Sequence, residues 1–237
     1  MNKKLIKLFK HPIRVVINRI YVFLKWFRYS KHHDYKAEYF WKNTHKKYGF
    51  DLRGVGSCIK SQDENQRILN EGSRLMLELC NREGIDLREV SLLDVGCGTG
   101  YYSRPFIEAG GTQYTGIDIV DTLFDGLQKR FTDFKFLQID VSTTPIQGEY
   151  NLIIAMDVLQ HITNETKFRF AMKNIKSHLT KDGVIIISTC IGPFKHNSFY
   201  MVTRPMSIFQ DVFQRYRISK SLDLYGNKMF SIRKVNW

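Results

Sequence analysis

The chain has 237 residues, of which 43% are hydrophobic and 25% charged, and its formal net charge at pH 7 is +13. This length and apolar content are sufficient for one globular domain with a sizeable core, and no internal repeat or low-complexity segment is evident. The four cysteines form no C-x-x-C pair and show no metal-ligand spacing with histidine. That pattern argues against a structural zinc site and favours reduced thiols in a cytosolic compartment.

The positive charge is concentrated at the N-terminal end. Residues 1–60 contain fifteen Lys and Arg against three acids, so they carry +12 of the net charge. Residues 61–237 are close to neutral. We therefore predict a basic helical extension over residues 1–60 and a near-neutral catalytic or binding domain over residues 61–237.

The first part of the extension has the pattern of an amphipathic helix. Residues 1–31 hold nine Lys and Arg and no acid. Pro12 suits a helix start, and bulky apolar residues follow at helical spacing. They are Ile13, Val16, Ile20, Phe23, Leu24 and Phe27, with Arg14, Lys25 and Arg28 on another side. The basic residues leave no apolar run of the ~20 residues that a transmembrane helix needs, and no signal-peptide core is present.

Three interpretations of this helix are open. The favoured one places it on the surface of an anionic membrane, with its apolar face inserted and residues 1–31 attracted to the lipid headgroups. The protein is then cytoplasmic and peripheral at the membrane. The second interpretation is a helix packed on its own domain with solvated charges. Nucleic-acid binding ranks third, because the aromatic residues follow the apolar stripe instead of forming a separate stacking surface.

Two helices are predicted between the extension and the domain core. The aromatic-rich residues 38–49 are typical of a helix that ends at a glycine. Residues 61–64 have the sequence of a capping box, which predicts the start of a second helix that carries Arg74.

The most informative stretch is residues 92–100, an apolar run that ends in Asp-Val-Gly-Cys-Gly-Thr-Gly. This pattern predicts a buried strand that turns into a glycine-rich loop. Gly96, Gly98 and Gly100 allow the backbone of such a loop to approach a ligand closely. Tyr101 stands where the dinucleotide fingerprint needs its third glycine, which disfavours a bound pyrophosphate.

Four more strands are predicted after this loop, and three of them end at an acid or beside one. They are residues 114–117 before Asp118, 134–139 before Asp140, 150–155 before Met156 and Asp157, and 184–188 after an Asp-Gly turn. Strands separated by helical segments, with polar residues at successive carboxyl ends, describe an open parallel sheet whose ligand lies along that edge. Asp118 can accept both hydroxyls of a ribose there. The alternatives are that Asp118 caps the helix beginning near Thr122 and that Asp140 caps the turn after it.

The Gly-x-Gly-x-Gly spacing and the acids after the later strands resemble the class I S-adenosylmethionine (SAM) methyltransferases over residues 60–235. The resemblance implies a Rossmann-like open sheet of about seven strands, mostly parallel with an antiparallel C-terminal strand. It implies SAM as the cofactor, with Asp118 on the ribose, Asp140 on the adenine and Asp94 near the ammonium through water. The implied cofactor-binding residues are Arg74, Asp94, Gly96, Gly98, Gly100, Asp118, Ile119, Asp140, Val141 and Met156. No metal is implied.

A finer resemblance is to the ubiquinone-biosynthesis O-methyltransferases. It rests on residues 72–75, 156–162 and 187–189. In that group an arginine at the position of Arg74 reaches the cofactor, which suits a guanidinium paired with a carboxylate. This chain departs from the group at Gln160, where the family usually has Glu, and after Thr189, where little resembles a quinone pocket. The resemblance therefore implies the cofactor site more strongly than the acceptor.

Methylation of a hydroxyl requires a base, and His161 is the predicted one because an imidazole titrates near neutrality. The alternative is a packed histidine that bonds a backbone group, and Asp157 is the second candidate base. Residues 191–204 are predicted to form a wall of the acceptor pocket, and residues 38–49 either a lid or an aromatic anchor for the extension. The predicted function is O-methylation of a small-molecule or lipid-linked acceptor near a membrane. RNA methylation and a catalytically silent scaffold are the alternatives.

Overall fold

The computed structural model describes residues 20, 24, 26–31 and 34–235, apart from the side chain of Lys31. Much of the predicted amphipathic helix lies outside these residues, including Pro12, Ile13, Arg14, Val16, Phe23 and Lys25. Residues 26–29 are helical, as are Ile20 and Leu24.

The elements alternate between helix and strand through the middle of the chain. The helices are α1 (Ala37–Tyr48), α2 (Gln62–Arg82), α3 (Ser103–Glu108), α4 (Phe124–Arg130), α5 (Glu165–Ser177) and α6 (Met206–Val212), with a short 3-10 helix at Leu159–His161. The strands are β1 (Ser30–Lys31), β2 (Asp34–Tyr35), β3 (Ser91–Val95), β4 (Gln113–Asp118), β5 (Lys135–Gln138), β6 (Tyr150–Met156), β7 (Leu179–Thr189), β8 (Lys195–Ser198), β9 (Met201–Thr203), β10 (Tyr216–Ile218), β11 (Leu222–Leu224) and β12 (Asn227–Lys234).

The main sheet has eight strands in the order β10-β12-β7-β6-β3-β4-β5, with β11 also paired to β12. Strands β3 to β7 are parallel to their neighbours among themselves, and β12 is antiparallel to β7, β10 and β11. The predicted Rossmann-like sheet, mostly parallel with an antiparallel C-terminal strand, is confirmed. The chain runs outward from β3 to β5 and then returns to β6 beside β3. Ligands of open α/β sheets bind where the strand order reverses in this way.

Helices cover both faces of the sheet, and this burial explains why the central strands are apolar throughout. Ile153 of β6 faces a cluster that contains Phe168 of α5, whereas its neighbour Ile154 faces a cluster that contains Met76 of α2. None of the helices in the described part of the chain combines the length and the apolarity needed to cross a membrane.

The capping box is confirmed at the start of α2. The Glu64 N–H donates to Ser61 Oγ at 3.1 Å, and the Ser61 N–H donates to Glu64 Oε2 at 2.8 Å. The aromatic helix is confirmed as α1, which ends at Gly49 with φ of 54°.

One local prediction is wrong. Asp182 and Gly183 lie inside β7 instead of forming a turn before it, because a register shift against β6 lets the strand continue through them. Near the C-terminal end, the short strands β10 and β11 pair with different parts of β12.

Candidate active site

A cavity with about 1140 Å³ of empty space, its open mouth included, lies at the carboxyl edge of the parallel strands. The loops after β3, β4, β5 and β6 line one side of the cavity, and β2 and α1 line the opposite side as its roof. We call residues 29–31 and 34–48, which include α1, β2 and the strand β1 paired with β2, the cap. The cavity is thus enclosed between backbone loops of the sheet and side chains of the cap.

The glycine-rich loop lies directly on the cavity. Gly96 and Gly98 line it and have φ of 72° and 51°, a left-handed conformation that favours glycine. A Cβ at Gly96 would stand 2.3 Å from Val158 Cγ2, and one at Gly98 would stand 2.7 Å from Val55 Cγ1. Any side chain at these positions would therefore displace the walls of the cavity. Gly100 closes the loop with φ of 70° but does not line the cavity.

Asp118 ends β4 with its side chain buried against the glycine-rich loop. Its Oδ2 accepts the Gly98 N–H at 3.0 Å, and its Oδ1 accepts the Val120 N–H at 3.2 Å. Burial raises the pKa of this carboxyl, although the neighbouring His45 opposes the rise. Each oxygen keeps acceptor capacity beyond its one backbone bond, so the carboxylate can also accept hydroxyls. Asp118 and Ile119 both line the cavity, and Asp118 does not cap α4.

Asp140, Val141 and Met156 line the cavity further along the same edge. The Asp140 carboxylate is occupied in part, because its Oδ1 accepts the Ser142 N–H at 2.9 Å and the Ser142 hydroxyl at 2.6 Å. Asp140 therefore does cap the turn that follows it, while it also faces the cavity. The two interpretations of this residue are compatible.

Asp94 and Arg74 do not line the cavity. Asp94 is buried in β3, where its Oδ2 accepts the Tyr114 hydroxyl at 2.7 Å, and burial raises its pKa to about 7. Arg74 is on the outer side of α2 with 59% of its side chain exposed, and it pairs with Glu71 at 2.7 Å and Glu78 at 3.0 Å. Arg74 is therefore not among the predicted cofactor-binding residues that the structure brings together at the cavity. Contact between Arg74 and the cofactor would require these ion pairs to break.

His161 lines the cavity from the 3-10 helix after β6, whereas Asp118 ends β4, which is two strands away in the sheet. Its Nδ1 is 2.8 Å from the Tyr200 carbonyl oxygen, which can only accept, so Nδ1 carries the proton and Nε2 carries the lone pair. The ring stacks on Tyr200 at 5.5 Å and meets the edge of Trp41 at 5.0 Å. Burial lowers the pKa of His161. The imidazole is therefore neutral at pH 7 with a basic nitrogen available, and the predicted backbone bond holds the ring in place.

Asp157 also faces the cavity and is firmly oriented. It has φ of 58°, an uncommon conformation for a residue with a side chain. Its Oδ1 accepts the Ser188 hydroxyl at 2.6 Å and the Asn227 side-chain amide at 2.7 Å. These bonds connect the loop after β6 to β7 and β12. No group of three or more described His, Cys, Asp or Glu side chains is arranged to hold a metal ion.

The cap contributes site residues that sequence analysis did not identify individually. Trp41 and His45 of α1, and Asp34 and Tyr35 of β2, all line the cavity. The aromatic composition of residues 38–49 pointed to the right segment, but helical spacing alone did not say which side chains face inward.

The cap is attached to the domain by one ion pair and one aromatic cluster. Asp34 accepts from Lys167 Nζ at 2.7 Å and from Thr163 Oγ1 at 3.3 Å. Buried Tyr29, Tyr35 and Phe40 pack against Phe199 and Tyr200 of the β8–β9 hairpin. The segment over 38–49 therefore forms both the roof of the cavity and an aromatic anchor. The hairpin, within the predicted wall over 191–204, supports the cap from outside.

Two polar atoms beside the cavity have no hydrogen-bond partner among the described residues. They are His45 Nδ1 and Thr99 Oγ1, and their side chains belong to residues only 4% and 8% exposed. Buried polar atoms are nearly always bonded, so two such atoms at one cavity indicate a site built for a polar ligand.

Comparison with known proteins agrees with this geometry. Residues 92–183 match the family model described as a methyltransferase domain. The ubiquinone biosynthesis O-methyltransferase of Rickettsia typhi is 29% identical over 108 residues, which cover 44% of this chain and 42% of that protein. The match thus spans less than half of that relative.

Solved structures with the same fold include methyltransferases. Magnesium protoporphyrin IX methyltransferase from Synechocystis, with bound S-adenosylhomocysteine (SAH), has a TM-score of 0.59 at 15% identity, covering 73% of this chain and 87% of that one. The N-methyltransferase NodS from Bradyrhizobium japonicum, also with SAH, has a TM-score of 0.59 at 14% identity, covering 82% and 100%. At such identities the likeness establishes the fold.

The fold and the matched domain are those of a Rossmann-like class I methyltransferase. In both respects the chain is similar to the SAM-dependent methyltransferases, and SAM is the cofactor of that class.

Proposed function

We propose that the chain transfers the methyl group of SAM to an oxygen atom of a small-molecule acceptor, with His161 as the base. The observation that carries this proposal is the neutral His161 ring, whose Nδ1–H is committed to a carbonyl and whose Nε2 is free to take a proton. The name of the Rickettsia typhi relative, an O-methyltransferase, supports oxygen as the acceptor atom.

The residues at the cavity fit the cofactor. The backbone of Gly96 and Gly98 lies directly at the cavity, where a Cβ would collide with Val158 or Val55, and two buried polar atoms beside the cavity have no hydrogen-bond partner among the described residues. We assign Asp118 to the ribose, Asp140 and Val141 to the adenine, and the Met156 backbone to the methionine end. Asp94 would act through water, and Arg74 only after leaving its glutamate partners. When bound, SAM supplies an electrophilic methyl group on a positively charged sulfur.

The protein then has two tasks, which are to orient the acceptor and to remove its proton. Bound SAM would supply the methyl carbon to the acceptor oxygen and leave as SAH, and His161 Nε2 would take the hydroxyl proton that the acceptor loses. Trp41 and Tyr200 hold the imidazole between them, and the cap excludes water from the reacting groups.

The direct test is transfer of a radiolabelled methyl group from SAM to separated pools of small hydroxylated compounds, lipids, glycans and RNA. We expect label in a hydroxyl-bearing small molecule or lipid-linked acceptor, as an alkali-stable ether. Label in RNA alone would establish the alternative function. SAH binding without transfer to any pool would indicate a silent scaffold.

A second proposal concerns where the enzyme acts. The basic segment, residues 1–31, holds nine Lys and Arg and no acid. Its exposed apolar side chains include Ile20, Leu24 and Trp26, with 54%, 63% and 46% of their surface accessible. We infer that this segment attaches the protein peripherally to an anionic membrane on the cytoplasmic side.

Sedimentation with vesicles that contain anionic lipid tests this proposal. A truncation should remove only residues 1–25, because Tyr29 is buried in the cap. We expect the truncated protein to lose vesicle binding and keep SAH affinity, and we expect wild-type binding to weaken with salt, since the screening length falls from ~10 Å at 0.1 M to ~3 Å at 1 M. Ile20→Ser with Leu24→Ser should weaken binding without a change in charge. Undiminished sedimentation of the truncated protein would contradict the proposal.

A further inference from the structure

His45 is a cap residue to which the proposed methyl transfer assigns no role. It is 4% exposed, lines the cavity, and is on α1, which belongs to the cap and not to the sheet. Its ring is 6.0 Å from that of Trp41 one turn earlier, so its apolar surface is packed. Its Nδ1 has no hydrogen-bond partner among the described residues.

A buried nitrogen without a hydrogen-bond partner destabilises the folded protein unless a ligand supplies that partner. Burial lowers the pKa of His45, and the nearby Asp118 carboxylate opposes that shift only in part. His45 is therefore a neutral imidazole beside Asp118, not the cationic half of an ion pair.

We propose that His45 hydrogen-bonds a ribose hydroxyl of the cofactor, so that the ribose is held between Asp118 on the sheet and His45 on the cap. The inference rests on the proposed function only for the identity of the cofactor. A hydroxyl both donates and accepts, so it can donate to the Asp118 carboxylate and bond an imidazole nitrogen of His45 in either tautomer. The cap then contributes directly to cofactor binding, and an occupied cofactor site stabilises the closed cap.

The chemistry of the two sides is complementary. Asp118 already accepts the Gly98 and Val120 N–H groups, and its remaining lone pairs can take two hydroxyl protons. Asp118 on the sheet can accept the protons of the ribose hydroxyls but cannot donate to them. The lone pairs of the hydroxyl oxygens therefore remain available for a hydrogen-bond donor on the cap. His45 is a polar cap residue that lies close enough to Asp118 for each side chain to affect the pKa of the other. It supplies the partner that the carboxylate cannot supply.

The test is calorimetric titration of the full-length protein with SAH and with SAH analogues that lack the 2′- or the 3′-hydroxyl. His45→Phe keeps an aromatic ring against Trp41 but removes both nitrogens. We expect it to weaken SAH binding roughly tenfold, the effect of one neutral hydrogen bond. With the analogue that lacks the contacted hydroxyl, wild type and His45→Phe should bind alike. His45→Asn, which keeps a polar group near Nδ1, should recover part of the affinity.

Two controls separate this role from a structural one. Lys46→Gln alters the exposed next residue of the same helix and should leave SAH affinity unchanged. His45→Phe should melt without ligand at the same temperature as wild type or higher, because it removes an unpaired buried nitrogen. A lower melting temperature with unchanged SAH affinity would overturn the proposal.

The outcomes also separate this inference from the proposed function. If wild type and His45→Phe bind SAH equally, the role of His45 is wrong and the methyltransferase assignment stands. If His45→Phe loses affinity for SAH but no acceptor is methylated, His45 is confirmed and the O-methylation proposal fails. Absence of SAH binding by wild type would overturn both.

Discussion

The two halves of the cavity are built in different ways. The sheet half consists of loops at strand ends. Backbone N–H groups position the side chains there, as the Gly98 N–H does when it donates to the Asp118 carboxylate. The cap half is held by side chains that meet over long sequence distances, including Asp34 with Lys167 and Phe40 with Tyr200. The sheet half follows from strand register, whereas the cap half depends on tertiary packing.

This difference in construction suits the two halves of the cavity to different roles. A group fixed by parallel register cannot move without disrupting the sheet, which suits constant contacts to a cofactor. A cap held by one ion pair and a cluster of rings can open at modest cost, which suits admission of the acceptor. Changes in the sheet half should therefore alter cofactor affinity, and changes at the cap end should alter turnover or opening.

The largest effect is expected at His161. His161→Gln should lower the turnover number by roughly 10²–10⁴-fold, because the acceptor proton loses its base. SAH affinity should stay near the wild-type value, since the ring lies away from Asp118. Steady-state kinetics with calorimetry measure both, and His178→Gln, remote from the cavity, is the matched control. A variant that keeps its turnover, or that loses it only by melting at a lower temperature, would make His161 a packing residue.

A smaller effect is expected at Asp118. Asp118→Ala should weaken SAH binding by about 2–3 kcal/mol, because it removes charge-assisted hydrogen bonds to the ribose worth about 1.5–3 kcal/mol each. Asp121→Ala, in the same loop but exposed, should have no effect. Unchanged SAH affinity in a folded Asp118→Ala protein would remove the ribose assignment.

The pH dependence of turnover tests the state of His161. Its folded pKa lies below the ordinary value of about 6.5, so the basic form is already complete at neutral pH. Turnover should be flat above about pH 6.5 and fall about tenfold per pH unit below the lowered pKa. A rate that still rises between pH 7 and 8 would point to a different base.

The smallest effect is expected at the ion pair of the cap. Asp34→Asn removes a half-exposed pair worth about 0.2–1 kcal/mol, so amides of α1 should exchange hydrogen up to about fivefold faster. Asp223→Asn breaks an exposed pair with Lys228 between β11 and β12, which includes no residue of the cap, and should leave α1 exchange unchanged. If Asp34→Asn left α1 exchange unchanged too, the pair would not hold the cap.

The sequence predicted the sheet half of the site almost residue by residue. Strands, glycine loop and the acids after them are local patterns, and a parallel sheet aligns its carboxyl ends whatever the surroundings. Gly96, Gly98, Asp118, Ile119, Asp140, Val141 and Met156 all line the cavity as expected. Arg74 was also predicted to bind the cofactor but does not line the cavity. A position on a helix does not by itself indicate whether an arginine contacts a ligand or the glutamates one turn away on the same helix.

By itself, then, the amino-acid sequence determined the fold class, the edge of the sheet at which the cavity lies and the concentration of charge in residues 1–60, since periodicity, glycine spacing and charge are properties of short segments. The division into extension and domain at residue 60 stays a prediction. Only the tertiary structure decided that Trp41 and His45 face the cavity, that Tyr200 sets the tautomer of His161, and that Ser188 and Asn227 orient Asp157. The contacts that fix these side chains join residues 31 to 120 positions apart, from Ser188 with Asp157 to Trp41 with His161, and such contacts depend on the packing of the whole chain.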